Sequence, residues 1–560
     1  MRAYAAPDTQ ALRSWQRRAL VRYLADRPRD FLAVATPGAG KTTFALRIAG
    51  ELLADGTIER ITVVVPTEHL KIQWAASASR MGIALDPKFS NSAAITSSEY
   101  HGVVVTYAQV ASHPTRHRVR TENYRTLVIF DEIHHGGDAK SWGDAIREAF
   151  SDATRRLALT GTPFRSDDSP IPFVTYERDS EGLLRSHSDH TYGYADALAD
   201  GVVRPVVFLA YSGEARWRSS AGEEHAARLG EPLSAEQTAR AWRTVLDPAG
   251  EWVPAVLKAA DTRLKQLRNG GMPDAGAMII ATDQTAARAY AALLTKMTGE
   301  TPTVVLSDDP GSSARIAEYS AGTSPWLVAV RMVSEGVDVP RLAVGVYATS
   351  ASTPLFFAQA IGRFVRSRRP GETASIFVPS VPALLELASL LEAQRDHVLG
   401  KPHRESLGDE LVERRRSEPT EEDKGFESLG ASAELDQVIF DGSSFGTATP
   451  AGSEEEADYL GIPGLLDADQ MRDLLRRRQE EQLTKRTAMG LPEPVRDSTR
   501  HGQLRELRRE LNTLVSLAHH RTGKPHGWIH NELRRICGGP PIAAATTDQL
   551  QARIAAVREL

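Results

Sequence analysis

The sequence predicts an α/β protein with two parallel sheets in tandem, and three observations carry that prediction. Short, nearly continuous apolar runs rich in Val, Ile and Leu alternate with stretches of helical periodicity, the pattern of strands buried on both faces of a parallel sheet. This rhythm occurs twice along the chain, separated by a stretch without it. At 560 residues the chain is also too long for one ordinary domain and has ample material for two large cores.

In the first series the runs are FLAVAT (31–36), ITVVVPT (61–67), VVVTY (103–107), TLVIFD (126–131) and RLALTGT (156–162). The second comprises AMIIAT (277–282), TVVL (303–306), WLVAVR (326–331), AVGVYA (343–348) and SIFVP (375–379). Between them lies an Ala-, Glu- and Arg-rich region whose segment EWVPAVLKAADTRLKQLRNGG ends in a Gly pair suited to a helix stop. It is either the entry helix of the second domain or a small insertion. Beyond about residue 400, EPTEEDKGFESLG and DGSSFGTATPAGSEEE are acidic or small-residue rich and poor in apolar side chains, which predicts a flexible segment. From 471 to 535 the sign reverses, with 15 Lys and Arg against 8 Asp and Glu. The expected boundaries are therefore an α/β domain at 1–205, a helical connector or insertion at 206–275, a second α/β domain at 276–398, an acidic linker at 399–470 and a basic helical module at 471–560.

The net charge of −5 gives no global electrostatic sign of a nucleic-acid binder, so any basic surface must be local. A single cysteine, Cys537, excludes an internal disulfide and a cysteine-rich zinc site, and fits a reducing compartment. With no signal peptide at its start and no run of about 18 apolar residues, the chain is expected to be cytoplasmic, with no membrane partner.

The strongest chemical signal is ATPGAGKTT, Ala35 to Thr43. A strand ends, a Gly-rich turn follows, and Gly40-Lys41-Thr42 opens a helical stretch. The glycines let the backbone N–H groups of the loop Thr36-Pro37-Gly38-Ala39-Gly40 close round phosphates. The helix start at Thr42 and Thr43 favours an anion, Lys41 reaches the β- and γ-phosphates, and the Thr42 hydroxyl suits Mg²⁺. The first position of the usual pattern is Ala35 where Gly is standard.

LVIFDEIHHGG, Leu127 to Gly137, then has a clear reading. Its apolar part is a buried strand, so Asp131 and Glu132 emerge at the C-terminal strand end, where open parallel sheets bind ligands. Asp131 is expected to hold the Mg²⁺ shared with Thr42, and Glu132 to orient or deprotonate the attacking water. A zinc site wants two His spaced on one helix face, which adjacent His134 and His135 do not supply. In QAIGRFVR, Gln359, Arg363 and Arg366 recur at 0, 4 and 7, the spacing of one helical face. They fit a γ-phosphate, with Gln359 helping to place the water and the arginines neutralising transition-state charge.

Taken in order, these motifs resemble those of a superfamily 2 helicase or translocase of the DExH type, over roughly residues 8 to 380. The resemblance implies two RecA-like domains, followed by a linker and a small α-helical C-terminal domain. It implies ATP and Mg²⁺ as cofactors, one ATP lying between the domains. LRSWQRRAL resembles the nucleotide-base motif, which places Arg13 and Gln16 on adenine. VVVPTEHLKIQW and VVVTY resemble motifs that set Thr67 and Thr106 on the nucleic-acid backbone, with Arg331 as a further contact. LALTGTPFRSD resembles the motif in which Thr160 and Thr162 couple hydrolysis to strand movement, a role the family shares with His134. VRMVSEGVDVPRL resembles the motif touching ribose and nucleic acid, through Glu335, Gly336 and Asp338.

The implied activity is that of a nucleic-acid-stimulated ATPase acting as a helicase or translocase. DEIHH with LTGTPFR is more similar to the DNA-repair and restriction-motor branch than to the RNA branch, so DNA is the expected polymer. Three alternatives stand beside it: an RNA helicase, the motor of a nuclease, restriction or phage-defence complex, and a nucleotide switch without strand movement. A metal-dependent nuclease would need His519, His520, His526, His530 and Asn531 to converge; a basic helical module with surface histidines competes with that reading. That module either contributes a phosphate-binding face, packs on the motor, or binds a partner protein.

Overall fold

The computed structural model of the chain describes residues 12–92, 97–134, 140–161, 170–178, 184–218, 224–231, 233–306, 311–330, 339–369, 371–389, 398–399, 427–440, 443–466, 468–488, 507, 511, 514–515, 518, 526–537 and 547–559. Its first strands are β1 (Asp30–Ala35), β2 (Arg60–Val65), β3 (Leu85–Asp86), β4 (Gly102–Thr106), β5 (Thr126–Phe130), β6 (Arg155–Thr160), β7 (Tyr176–Arg178), β8 (Leu184–Ser186) and β9 (His190–Tyr192). Seven of them form one sheet in the order β3-β4-β2-β5-β6-β1-β9, with every neighbouring pair parallel.

The apolar runs are continuous because both faces of this sheet are covered. On β2, Ile61, Val63 and Val65 enter one core cluster and Val64 the other; on β5, Leu127 and Ile129 part from Val128 and Phe130 in the same way. Successive side chains of a strand point to opposite faces, so burial on both sides favours a nearly continuous apolar run, broken here by the buried Thr62 and Thr126. Parallel pairing also places the C-terminal ends of β1, β2, β5 and β6 along one edge, where the chain leaves for Thr36, Pro66, Asp131 and Gly161.

The second lobe contains β10 (Val206–Ser212), β11 (Glu214–Arg218), β12 (Glu224–Arg228), β13 (Gly276–Ala281), β14 (Thr303–Val305), β15 (Trp326–Val330), β16 (Leu342–Ala348) and β17 (Ala374–Pro379). After them come β18 (Val398–Leu399), β19 (Glu427–Ala431), β20 (Glu434–Phe440) and β21 (Ser443–Pro450). Its eight-stranded sheet runs β14-β15-β13-β16-β17-β10-β20-β21. The first six are mutually parallel, while β20 and β21 close the edge antiparallel. Two three-stranded sheets, β12-β11-β19 and β18-β8-β7, complete the strands. The protein is thus α/β with two tandem RecA-like sheets, and no described helix is long and apolar enough to cross a membrane.

Three expected boundaries differ from the structure. The connector at 206–275 is helical at Ala235–Val245 and Trp252–Asn269, but it begins with β10, whose seven residues are all buried beside β17. The acidic stretch at 399–470 is not a free linker over its described part. β20 and β21 extend the second sheet and bury Leu435, Val438, Ile439, Phe440 and Phe445. Few apolar residues suffice because they are concentrated where β20 meets β10: Val438, Ile439 and Phe440 are buried in succession, whereas the outer strand β21 contributes Phe445. Acidity misled for a further reason: Glu456 is internal, accepting from Tyr211 Oη at 2.5 Å and from Gly452 N at 2.6 Å. The remainder, 400–426, lies outside the described residues.

The long helix Ala468–Ala488, expected to open the basic module at 471, packs instead on the second lobe, with Met471 and Leu475 in its core and Gln482 bonded to Tyr459 and Thr449. The helices His526–Cys537 and Thr547–Glu559 have a core of their own, built on Ile529, Leu533, Leu550, Ile554 and Val557. The side chains of His526, His530 and Asn531 lie outside the described residues, as do His519 and His520.

One buried cation fastens the C-terminal additions to the second lobe. Arg263, 2% exposed on the helix Trp252–Asn269, donates to Ser375 Oγ and Leu460 O, both at 2.9 Å, and to Ile462 O. Burial, assisted by Arg478, lowers its pKa to about 9, which leaves it charged near neutrality. Replacing it removes these donors and strands their buried acceptors. Arg263→Ala is therefore expected to destabilise the chain by about 2–4 kcal/mol, read from urea unfolding; an unchanged midpoint would contradict this.

Candidate nucleotide site between the lobes

The Gly-rich turn joins β1 to the helix Lys41–Ala54, and Gly38 and Gly40 have φ of +81° and +91°. These left-handed conformations are open to glycine at little cost, which fixes the residue type at both corners. Side chains at the start of the helix Ser14–Asp26 brace the turn: Arg13 Nη1 donates to Gly38 O at 2.7 Å, Trp15 Nε1 to Ala39 O at 3.0 Å and Gln16 Nε2 to Gly40 O at 2.9 Å. Arg13 and Gln16, expected on a nucleotide base, thus hold the loop itself. No sequence signal singles out Trp15, which sits directly before Gln16. Its ring stacks on Tyr192 with centroids 5.2 Å apart, so β9 supports the loop from behind.

At the end of β5, Asp131 is largely buried and fixed on every side. Its N–H donates to Val64 O at 2.9 Å, its carbonyl accepts from Tyr107 Oη at 2.9 Å, and its Oδ2 accepts from Trp74 Nε1 at 2.7 Å. Burial, with the charge of Glu132 beside it, pushes its pKa up. Glu132 has φ +48°, a strained conformation for a residue with a Cβ and one that clusters at functional sites. Its Oε1 lies 3.0 Å from Lys41 Nζ, and its Oε2 accepts from Gly161 N at 3.0 Å. Burial alone would raise its pKa, but Lys41, His134 and the Gly161 N–H outweigh that and hold it well below the usual carboxylate range.

A hydrogen-bonded chain then crosses between the lobes. Thr160 Oγ1 lies 3.4 Å from Glu132 Oε2 and 3.0 Å from Nδ1 of the fully buried His134, whose Nε2 is 3.1 Å from Gln359 Nε2. If the amide donates to Nε2, the proton resides on Nδ1 and points to Thr160, a tautomer assigned from the network.

Gln359 sits in the last turn of the helix Pro354–Ile361, which Thr353 caps. The sequence spacing put Gln359, Arg363 and Arg366 on one helical face, and here the structure differs. The helix ends at Ile361, Arg363 follows in a turn, and Arg366 bridges to Val203. The segment turns because Phe364 and Val365 are buried and because Arg204 fastens it. Arg204, 1% exposed, donates from Nε to Phe364 O at 2.6 Å and reaches Leu342 O and Glu372, while its own N–H bonds Val365 O. No sequence motif marked Arg204. Burial lowers the Arg366 pKa to about 10, so it stays cationic.

The lobes enclose a cavity of about 370 Å³. Of the expected site residues, Pro37, Gly38, Gly40, Lys41, Thr42, Asp131, Glu132, Gln359, Arg363 and Arg366 line it. The approach is close: a Cβ on Gly362 would fall 2.7 Å from Pro37 Cγ. Ala39 is buried in the loop, Thr36 N bonds Tyr192 O, and Thr43 lies in the first helical turn behind Thr42. Thr67, expected on nucleic acid, lines the same cavity, and Thr106 is a buried helix cap accepting from Gln109 N at 3.1 Å. Thr162, Arg331, Glu335, Gly336 and Asp338 lie outside the described residues.

The family described as "Type III restriction enzyme, res subunit" matches residues 9–165, the first lobe with its loop and carboxylates. Uncharacterized protein ML1624 of Mycobacterium leprae (strain TN) is 75% identical over 99% of this chain and 94% of its own length. ATP-dependent DNA helicase MPH1 of Candida albicans (strain SC5314 / ATCC MYA-2876) is 29% identical over 29% of this chain and 14% of its own. Among solved structures, the fragment of a putative HsdR subunit of a type I restriction enzyme from Vibrio vulnificus YJ016 superposes with a TM-score of 0.48 at 16% identity, covering 70% of this chain and 68% of that one. With ML1624, this chain belongs to a family of superfamily 2 helicase-like proteins related to the restriction motors.

Proposed function

We propose that the chain is an ATP-dependent DNA helicase or translocase that hydrolyses ATP in the cavity between its two lobes. The observation that carries this reading is the hydrogen-bonded path from Glu132 through Thr160 and His134 to Gln359. It joins a carboxylate suited to hydrolysis with the segment bearing Arg363 and Arg366.

The donor set fits Mg²⁺. The Thr42 hydroxyl and the Asp131 carboxylate are hard oxygen donors on one cavity, and Mg²⁺ is usually held by one or two such groups together with substrate phosphates. Bound there, Mg²⁺ would neutralise charge on the β- and γ-phosphates. The N–H groups of the braced loop and Lys41 bind the phosphates. As Lys41 turns to them it releases Glu132, which orients the water and accepts its proton as the new P–O bond forms and the β–γ bridging bond breaks. Gln359 holds the water from the opposite lobe, and Arg363 and Arg366 neutralise the charge that develops. These contacts exist only with the lobes together, so ADP and phosphate formation weakens closure and the lobes separate.

DNA as the polymer is supported by the relation to restriction enzymes and by the likeness to MPH1, named a DNA helicase. The match to a restriction subunit also favours a second reading, in which this motor serves a nuclease or defence complex whose cutting chemistry lies in a partner. The C-terminal helical module is then the surface for that partner.

Two sets of measurements test the proposal. Lys41→Ala should weaken ATP binding and turnover together, whereas Glu132→Gln should retain binding and lose turnover by roughly 10²-fold or more, as expected when a general base is removed. Arg366→Ala should cost roughly 10³- to 10⁵-fold in turnover. Unaltered hydrolysis in any of the three would refute its assigned role. ATP hydrolysis should also be compared without polymer and with single-stranded DNA, duplex DNA and RNA. Stimulation by DNA is expected; stimulation by RNA alone would sink the choice of DNA.

A further inference from the structure

Trp74 closes the run VVVPTEHLKIQW, and neither its sequence context nor its family resemblance gives it a task. The structure places it on the helix Glu68–Arg80, 2% exposed, with its indole edge on the cavity between the lobes. Its Nε1 donates to Asp131 Oδ2 at 2.7 Å. We propose that Trp74 is a positioning residue for Asp131, fixing the rotation of its carboxylate so that the other oxygen is presented to the cation that accompanies the nucleotide. This rests on the reading that Asp131 holds that Mg²⁺.

Three physical points favour an indole here. Asp131 is anchored at its backbone by Val64 O and Tyr107 Oη, which leaves the side-chain torsion as the remaining freedom, and the Trp74 bond removes it. An indole N–H is a donor only and carries no charge, so it engages one carboxylate oxygen without repelling a cation at the other, as Lys or Arg would. A buried indole N–H also needs a partner of its own, and Asp131 satisfies that need. Groups that orient a metal-binding side chain typically carry a 10- to 100-fold effect on metal affinity.

The test uses the full-length chain and a fluorescent ATP analogue, titrated with Mg²⁺ and also measured in EDTA. Trp74→Phe keeps an aromatic ring in the site and removes the donor. The half-saturating Mg²⁺ concentration should rise roughly 10- to 100-fold, while analogue affinity in EDTA stays at the wild-type value. Trp74→3-benzothienylalanine keeps the full bicyclic shape without the N–H and should show the same shift, which covers a packing failure of the smaller ring. A wild-type Mg²⁺ dependence in the benzothienyl variant overturns the proposal. So does an equal loss of affinity in EDTA, since Trp74 would then be only a wall of the cavity. If the wild-type chain binds the analogue with no response to Mg²⁺, the assignment of Asp131 falls and this inference with it. If the wild type responds and the variants match it, this inference alone falls.

Discussion

Lys41 and Glu132 form the contact on which the arrangement of the cleft turns. Their charged groups are 3.0 Å apart at the meeting of a Gly-rich loop, a strand end and the opposite lobe. A cation and a carboxylate removed from bulk water must satisfy each other and their remaining hydrogen-bonding capacity, or the cost of desolvation dominates. Here Lys41 also donates to Ala35 O, and Glu132 also accepts from Gly161 N. Three strand ends, those of β1, β5 and β6, are thereby tied at one point, and the loop cannot move without disturbing the carboxylates. On the proposed reading the pair also holds the site in readiness: phosphates compete for Lys41, and what they free is an ionised Glu132.

A second layer of constraint comes from buried arginines. Arg204 braces the segment carrying Arg363 and Arg366, and Arg263 fastens the C-terminal additions to the second lobe, each mainly through backbone carbonyl oxygens. A planar guanidinium can satisfy several carbonyls at once, which suits junctions where the chain leaves regular structure and its carbonyls lack partners. The lobe is held where helix and sheet bonding stop.

Much of the fold was legible in the sequence because parallel strands covered on both faces leave a one-dimensional mark. FLAVAT, VVVTY and TLVIFD are β1, β4 and β5 to within a residue or two. The Gly-rich loop and the Asp-Glu pair, which line one cavity, are legible for a similar reason: each is a run of fixed residue types at adjacent positions. Acidic composition is a poor guide at 427–466, since the few apolar residues are concentrated on β20 where it meets β10, and a buried Glu456 counts as charged in any tally. Spacing also misled at Arg363 and Arg366, where a helical period was read across a chain that turns after Ile361.

The sequence by itself determined the α/β class, the loop at Ala35–Thr43 and the identity of its carboxylate and arginine partners, because each is written in neighbouring residues. Only the tertiary structure decided what those residues touch. Arg13 and Gln16 brace the loop, Trp74 donates to Asp131, and Thr67 lines the cavity. Gln359 meets His134 across 225 positions of chain. Such contacts join residues with no sequence relation to one another, and they exist because parallel strands bring their C-terminal ends to one edge and two such edges face each other.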